Sequence, residues 1–203
     1  MITLDLTKQW KQLYSPSQKE VSFIEVPEFQ FLMADGEGDP NGSESFQEAV
    51  HVLYALSYTL KFMVKRGARR IEYRVMPLEG LWWSEAQGGF PAVRKDLWKW
   101  RLMIAQPDFV KPEDVDVARD EVRRKKKDAG MDRVRFESYK EGKAAEILYI
   151  GPYSEEEPTI ARIHEAIRAE GGRPSGFHHE IYLSDVRRTA PAKLKTVLRQ
   201  PFV

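Results

Sequence analysis

Three side chains near the C-terminal end, His178, Glu180 and Tyr182, fall at alternate positions of Gly176-Phe-His-His-Glu-Ile-Tyr-Leu-Ser-Asp185. An imidazole, a carboxylate and a phenol held together can take up, hold or deliver a proton, and the carboxylate attracts cations. Turn formers bracket the stretch, with Gly171, Gly172, Pro174 and Gly176 ahead and Arg187-Arg188-Thr189-Ala190-Pro191 behind, so it reads as a short strand. Alternation then directs Phe177, His179, Ile181 and Leu183 to a core, while His178, Glu180 and Tyr182 form the floor of a small-molecule pocket centred on Glu180. The plainer alternative for Glu180 is an exposed sheet residue or an ion-pair partner, because carboxylates are seldom buried unless paired or used.

Aromatic residues favour the pocket. The chain has five tryptophans, and Trp82, Trp83, Trp98 and Trp100 cluster on two predicted strands, with Tyr73, Tyr149, Tyr182 and Phe177 on neighbouring ones. Any single tryptophan is readily explained as core; four together exceed what a thin α+β core requires. A carboxylate beside aromatic faces suits a flat, hydrophobic and often cationic molecule. Other chemistries find no support. His178 and Glu180 have the spacing of two metal ligands, but there is no H-E-x-x-H and no Cys pair, His51 and His164 fall on helices, and His179 faces the other way. No metal or cofactor is expected. A G-x-S-x-G elbow, a dinucleotide fingerprint and a P-loop are all absent.

The elements that position these residues follow from periodicity. Residues 1–20 form a polar lead-in anchored by Trp10, Leu13 and Tyr14, too short for a DNA-reading domain. Phe29 to Ala34 is a strand, broken by Gly36 to Gly42. A long helix then starts at a Ser45/Glu48 capping box and ends at Gly67. Ile71 to Met76, Leu78 to Glu85 and Leu97 to Gln106 are strands, the last two separated by a Gly88-Gly89 loop. A helix from Pro112 ends in Arg123-Arg124-Lys125-Lys126-Lys127, cations that complement the helix dipole. The second half repeats the pattern. Val134 to Tyr139 and Ala144 to Tyr149 flank a turn at Glu141-Gly142-Lys143, a helix begins at a Ser154/Glu157 capping box, the Glu180 strand follows, and residues 191–203 add an edge strand. The reading is α+β, two strand-helix-strand-strand modules with a groove between them, at about 21–110 and 131–203, joined by a helix at about 111–130 within one domain spanning 1–203.

Composition sets the outer bounds. With 32 Lys plus Arg against 31 Asp plus Glu, no global field favours nucleic acid or an anionic membrane. No apolar run is long enough for a spanning helix, and the lack of Cys excludes disulfides and thiolate chemistry. A cytoplasmic protein, monomeric or weakly dimeric, is expected, with a hydrophobic aromatic small molecule rather than nucleic acid or membrane as partner.

His178-His-Glu-Ile-Tyr-Leu-Ser-Asp185, followed by Arg187 to Pro201, resembles the C-terminal signature of the gyrase-inhibitor-like small-molecule-binding proteins, and Ala144 to Tyr153 and Lys111-Pro-Glu-Asp-Val115 resemble further parts of that family. The likeness is strongest to stand-alone members of about 200 residues. It implies two modules related by a pseudo-two-fold, with Glu180 matching the strand glutamate that meets cationic aromatic drugs in multidrug regulators. A stand-alone subset is similar to hydrolases that open the cyclopropane of DNA-alkylating natural products. That likeness implies Glu180 as base, with Tyr182 or His178 as acid. A non-catalytic binder, or an inhibitor of a protein such as DNA gyrase, stays open beside it, as does a nucleic-acid accessory using Arg123 to Lys127.

Overall fold

The computed structural model describes residues 2–87, 90–126 and 130–203. A lead-in of β1 (Ile2–Leu4), α1 (Leu6–Gln9) and α2 (Lys11–Tyr14) precedes β2 (Ser22–Glu37), α3 (Glu44–Arg66), β3 (Ile71–Tyr73), β4 (Leu78–Trp83) and β5 (Lys99–Gln106). After α4 (Pro112–Lys126) come β6 (Arg135–Ile150), α5 (Glu157–Ala169), β7 (His178–Tyr182) and β8 (Lys195–Pro201). The mixed helix and antiparallel-sheet reading is what the chain adopts, but the two sheets do not lie side by side as separate layers. Strands β2-β5-β4 and β6-β8-β7 join through β4–β7 and β2–β6 into one closed antiparallel barrel. Two three-stranded sheets would each leave two rows of unpaired amides and carbonyls, and closure pairs them all. The final strand is therefore not an edge: β8 is hydrogen-bonded to β6 on one side and β7 on the other.

Helices cover the outside of the barrel. The α3 stripe of Val52, Leu53, Leu56, Leu60 and Val64 is buried, and on α5 Ile160, Ile163 and Ile167 pack on Ala145, Ile147 and Leu198. Both helix starts differ from the expected capping boxes. Ser43 caps α3, its hydroxyl accepting from Phe46 N at 3.2 Å, two residues before Ser45. Before α5 a 3-10 turn takes up Tyr153–Glu155, so Ser154 cannot cap and Glu156 becomes the N-cap. Gly67 ends α3 as expected.

Strand β6 is not a hairpin. Glu141-Gly142-Lys143 lies within 16 residues of continuous strand, because β2 is equally long and holds one register along it, Ser22 opposite Glu146 and Met33 opposite Arg135. Gly142 carries a φ of 78°, and a left-handed residue inside a strand reverses the alternation of faces. Glu141 and Glu146, an odd number apart, consequently both point into the barrel and both accept from Arg199, at 2.9 and 2.8 Å.

That arginine belongs to a buried chain of charges. Tyr14 Oη donates to Glu79 Oε1 at 2.9 Å, His179 bridges Glu79 at 3.0 Å and Glu141 at 2.9 Å, and Arg199 Nη2 donates to Leu13 O at 2.7 Å. The lead-in is thus part of the core. Burial opposes the charge on His179, but Glu141 and Glu79 outweigh it and raise the imidazole to about 9; burial likewise pushes Glu141 up, yet His179 and Arg199 hold it down at about 2. The unfolded chain releases the histidine proton near the ordinary 6.5, so this stabilisation is complete below pH 6.5 and lost as pH rises through about 9. Glu146, raised by burial to about 7, acts in the same direction. Stability should therefore fall by at least about 3 kcal/mol between pH 6.5 and 9, the amount His179 alone accounts for. Urea midpoints across that range test this, and a flat profile contradicts it.

The basic run at the end of α4 is taken up locally. Arg123 pairs with Asp120 and Asp132, Lys125 with Glu121, and Arg124 Nε donates to Asp120 O. Lys127 lies outside the described residues, as does the Gly88-Gly89 loop.

Candidate functional site

Packing leaves a seam between the helices. α3 packs on β2 and β5 and α5 on β6 and β8, and β4 and β7 run antiparallel between these pairs, Gly80 opposite Glu180 and Trp82 opposite His178. These four residues share the outer face with Leu198, which lies opposite Glu180 on β8 and packs under α5.

Glu180 is 7% exposed. Tyr182 Oη donates to its Oε2 at 2.8 Å, and Trp82 Nε1 donates to Tyr182 Oη at 3.0 Å. The other oxygen, Oε1, lies 3.6 Å from His178 Nε2. Burial pushes the Glu180 carboxyl up to about 7, although the Tyr182 hydroxyl works against that rise. Burial also drives the Tyr182 hydroxyl well above its ordinary range and takes the His178 imidazole down to about 3, so His178 is neutral at physiological pH. The site therefore holds a carboxyl poised near neutrality, oriented by a phenol that is itself fixed by an indole.

Gly80 makes this relay possible. A Cβ there would stand 2.8 Å from Trp82 Nε1 and 3.0 Å from Tyr182 Oη, inside the relay itself. Gly80→Ala should break the Trp82–Tyr182 bond, cost roughly 1 kcal/mol or more, and move the Trp82 indole proton upfield in the NMR spectrum. An unmoved indole resonance contradicts this.

Aromatic rings lie over the relay. The Phe90 ring is inclined by 21° to both His178 and Trp82, at 5.2 and 6.1 Å, with Trp98 edge-on at 4.7 Å. Tyr153, from the turn before α5, meets Tyr182 at 5.6 Å. Other residues expected at the site lie elsewhere. Trp83 packs on Phe177 at 4.5 Å, and Trp100 is 1% exposed and sealed in the core against Phe46 and the backbone of Gly36. Tyr73 stands in the separate β1–β3 pair with its ring on Phe109, whereas Tyr149 lies at the edge of the site, its Oη donating to Pro152 O at 2.9 Å and bracing the turn that carries Tyr153. A one-residue step along a strand inverts the facing, which is why Trp82 and Trp83 separate. Sequence reasoning did not find Gly80, Phe90, Tyr153 or Glu156. Gly80 carries a readable signal, a glycine inside an otherwise bulky strand, whereas Phe90 and Tyr153 lie outside regular strands, where periodicity is silent.

The family model for the GyrI-like small molecule binding domain matches residues 19–202. The chain belongs to the GyrI-like family. Two crystal structures from Listeria innocua are close to this GyrI-like domain. One, an uncharacterized conserved protein, is 40% identical with a TM-score of 0.91, covering 98% of this chain and all of that one. The other, described as a hydrolase, is 41% identical with a TM-score of 0.88, covering 99% of this chain and 100% of that chain. The crystal structure of the EcmrR C-terminal domain shares the fold of the GyrI-like domain at 11% identity, with a TM-score of 0.56 over 91% of this chain and 97% of that chain. A comparison with curated proteins finds no match. The match to the family model begins at residue 19, so β1, α1 and α2 lie ahead of it although they complete the buried charge chain.

Proposed function

We propose that the seam binds a flat, hydrophobic, aromatic small molecule in the slot between Trp82 and His178, and that Glu180 hydrolyses a strained-ring electrophile bound there. The observation that carries this reading is a buried carboxyl near neutrality, held by Tyr182 and Trp82, beneath aromatic faces. The two strand-helix-strand-strand modules, related by a pseudo-two-fold within a single domain, supply one flank of the slot each. The hydrolase description of the Listeria relative agrees with turnover. In a cyclopropane-bearing substrate, Oε1 of Glu180 takes a proton from water as the water oxygen bonds to a ring carbon and the strained C–C bond opens. The electron pair moves onto the conjugated carbonyl oxygen. We assign the hydrogen-bond donor at that oxygen to the neutral His178 imidazole, whose ring nitrogens have no hydrogen-bond partner among the described residues, since the single Tyr182 hydroxyl hydrogen is held by Glu180 Oε2. A cytoplasmic xenobiotic-detoxifying role and a monomeric or weakly dimeric state complete the proposal.

The Phe90 ring lies against both Trp82 and His178, inclined by 21° to each. A flat ligand replaces that ring, and its binding is weakened by the ring contacts Phe90 gives up. Phe90→Ala should therefore tighten binding of N-methylquinolinium roughly tenfold. Tryptophan quenching measures the affinity, and mass spectrometry of a cyclopropane-bearing alkylator incubated with the protein measures turnover. Weaker binding in Phe90→Ala would place Phe90 among the ligand contacts, and absence of quenching in both proteins sinks the site.

A further inference from the structure

Glu156 is an N-cap residue that does not cap. An acidic side chain at this position ordinarily turns back to an amide of the first turn, yet here the backbone is helical, φ −76° and ψ −25°, and the side chain makes no capping bond. The carboxyl is instead turned inward: the residue is 4% exposed, and its Oε1 is buried without a hydrogen-bond partner. A buried carboxyl oxygen without a partner is costly unless the group is neutral or used, and the Thr196 hydroxyl of β8 is the neighbour that favours its charged form. Its surroundings are those of Glu180. Tyr153 and Tyr182, edge to face at 5.6 Å, lie in the fields of both carboxyls, and Glu156 lies in the field of Glu180.

We propose that Glu156 is the second carboxyl of the ligand site and shares one proton with Glu180, so that the pair presents a single negative charge to a bound molecule. The inference rests on the reading of the Glu180 floor as the ligand site. Two buried carboxyls acting on each other do not both ionise at neutral pH, and their protons leave in two steps that belong to the pair. Burial, followed by the Glu180 charge, pushes Glu156 up to about 10, and Glu180 sits at about 7. The titratable groups around them are Tyr149 on β6, Tyr153 before α5, and Tyr182, His178 and His179 on β7, with Tyr54 of α3 beyond Tyr153 and His164 of α5 beyond His178. Of these only His179 is charged below pH 9, and it lies on the inner face of β7. The site therefore prefers a monocation over a neutral molecule, and the preference grows as the pair gives up its protons. Glu156 acts as a positioning residue: it sets the charge of the floor that Glu180 uses.

Calorimetric titration with N-methylquinolinium, and with quinoline as its uncharged counterpart, between pH 6 and 10.5 tests this. Affinity for the cation should rise in two steps of about tenfold each, one near neutrality and one in the alkaline range, while quinoline affinity stays flat. Glu156→Gln mimics the protonated form, so it should keep the lower step and abolish the upper one. A Glu156→Gln profile that superimposes on the wild type overturns the inference, as does a single step in both. Side-chain carboxyl NMR of the wild-type protein decides independently of that variant. Glu146 also titrates near 7 and is told apart from Glu180 by the resonance missing in Glu180→Gln. Glu180 titrating near pH 7 with a second glutamate above pH 8 supports the shared proton, and Glu156 and Glu180 both titrating below pH 6 refute it. If neither probe binds at any pH the ligand site itself fails, and the carboxyl titration still reports on the pair.

Discussion

Glu180→Gln should lower hydrolysis of a cyclopropane-bearing alkylator by about 10²- to 10⁴-fold, the range that a positioned general base contributes, and leave binding of the uncharged substrate within a few-fold of wild type. The amide is isosteric, so the bond to Tyr182 Oη and the shape of the floor are retained; what is lost is the group that accepts the water proton. In the wild type the rate should rise with pH through about 7 as Glu180 ionises, and in the variant that limb should vanish. Stopped-assay mass spectrometry of product, with quenching titrations on the same preparation, separates the two readouts. Unchanged turnover in Glu180→Gln ends the assignment of a base. Undetectable turnover in the wild type, with saturable binding retained, leaves the alternative of a pure binder.

Arg199→Met should destabilise the protein by about 3–5 kcal/mol, a large part of the 5–15 kcal/mol that typically separates folded from unfolded domains. Arg199 is 2% exposed and joins Glu141, Glu146 and the Leu13 carbonyl at 2.9, 2.8 and 2.7 Å. A methionine fills the volume, leaves two carboxyls in the barrel without their cation, and frees the lead-in from the core. Glu146, already at about 7, can escape by taking up a proton; Glu141, held at about 2 by His179 and Arg199, must give up half of that support. The loss should therefore be larger at pH 8 than at pH 6, and Arg199→Met combined with Glu141→Gln should recover part of it. Urea unfolding of the single and double variants at both pH values is the measurement, and a loss below 1 kcal/mol contradicts the account.

What was legible in the sequence depended on period and punctuation. The alternation of His178, Glu180 and Tyr182 between glycine-rich and proline-bounded ends placed β7, and the stripe of Phe46, Val50, Leu53, Leu60 and Val64 with Gly67 placed α3. The closed barrel was not legible, since the pairing of β4 with β7 and of β2 with β6 joins residues far apart in the chain and leaves no local mark. Glycine misled at one place: Gly142 lies inside β6, where it resembles a turn, but the long partner strand β2 carries pairing past it. At the site, the strand floor was readable because strand facing is a parity rule, whereas its cover was not. Phe90, Tyr153 and Glu156 come from irregular segments, and nothing in their spacing reveals that they converge on Glu180.

The central claim is that the seam between Trp82, His178 and Glu180 receives a flat ligand in place of the Phe90 ring. A crystal structure of the protein with N-methylquinolinium tests it most directly. The account predicts a planar molecule stacked between the Trp82 and His178 rings, with Phe90 displaced and the ring nitrogen facing the Glu180 carboxyl. A ligand bound in the cavity on the opposite face of β7, lined by Tyr14, Phe29, Tyr139 and His179, with Phe90 still against Trp82, contradicts it.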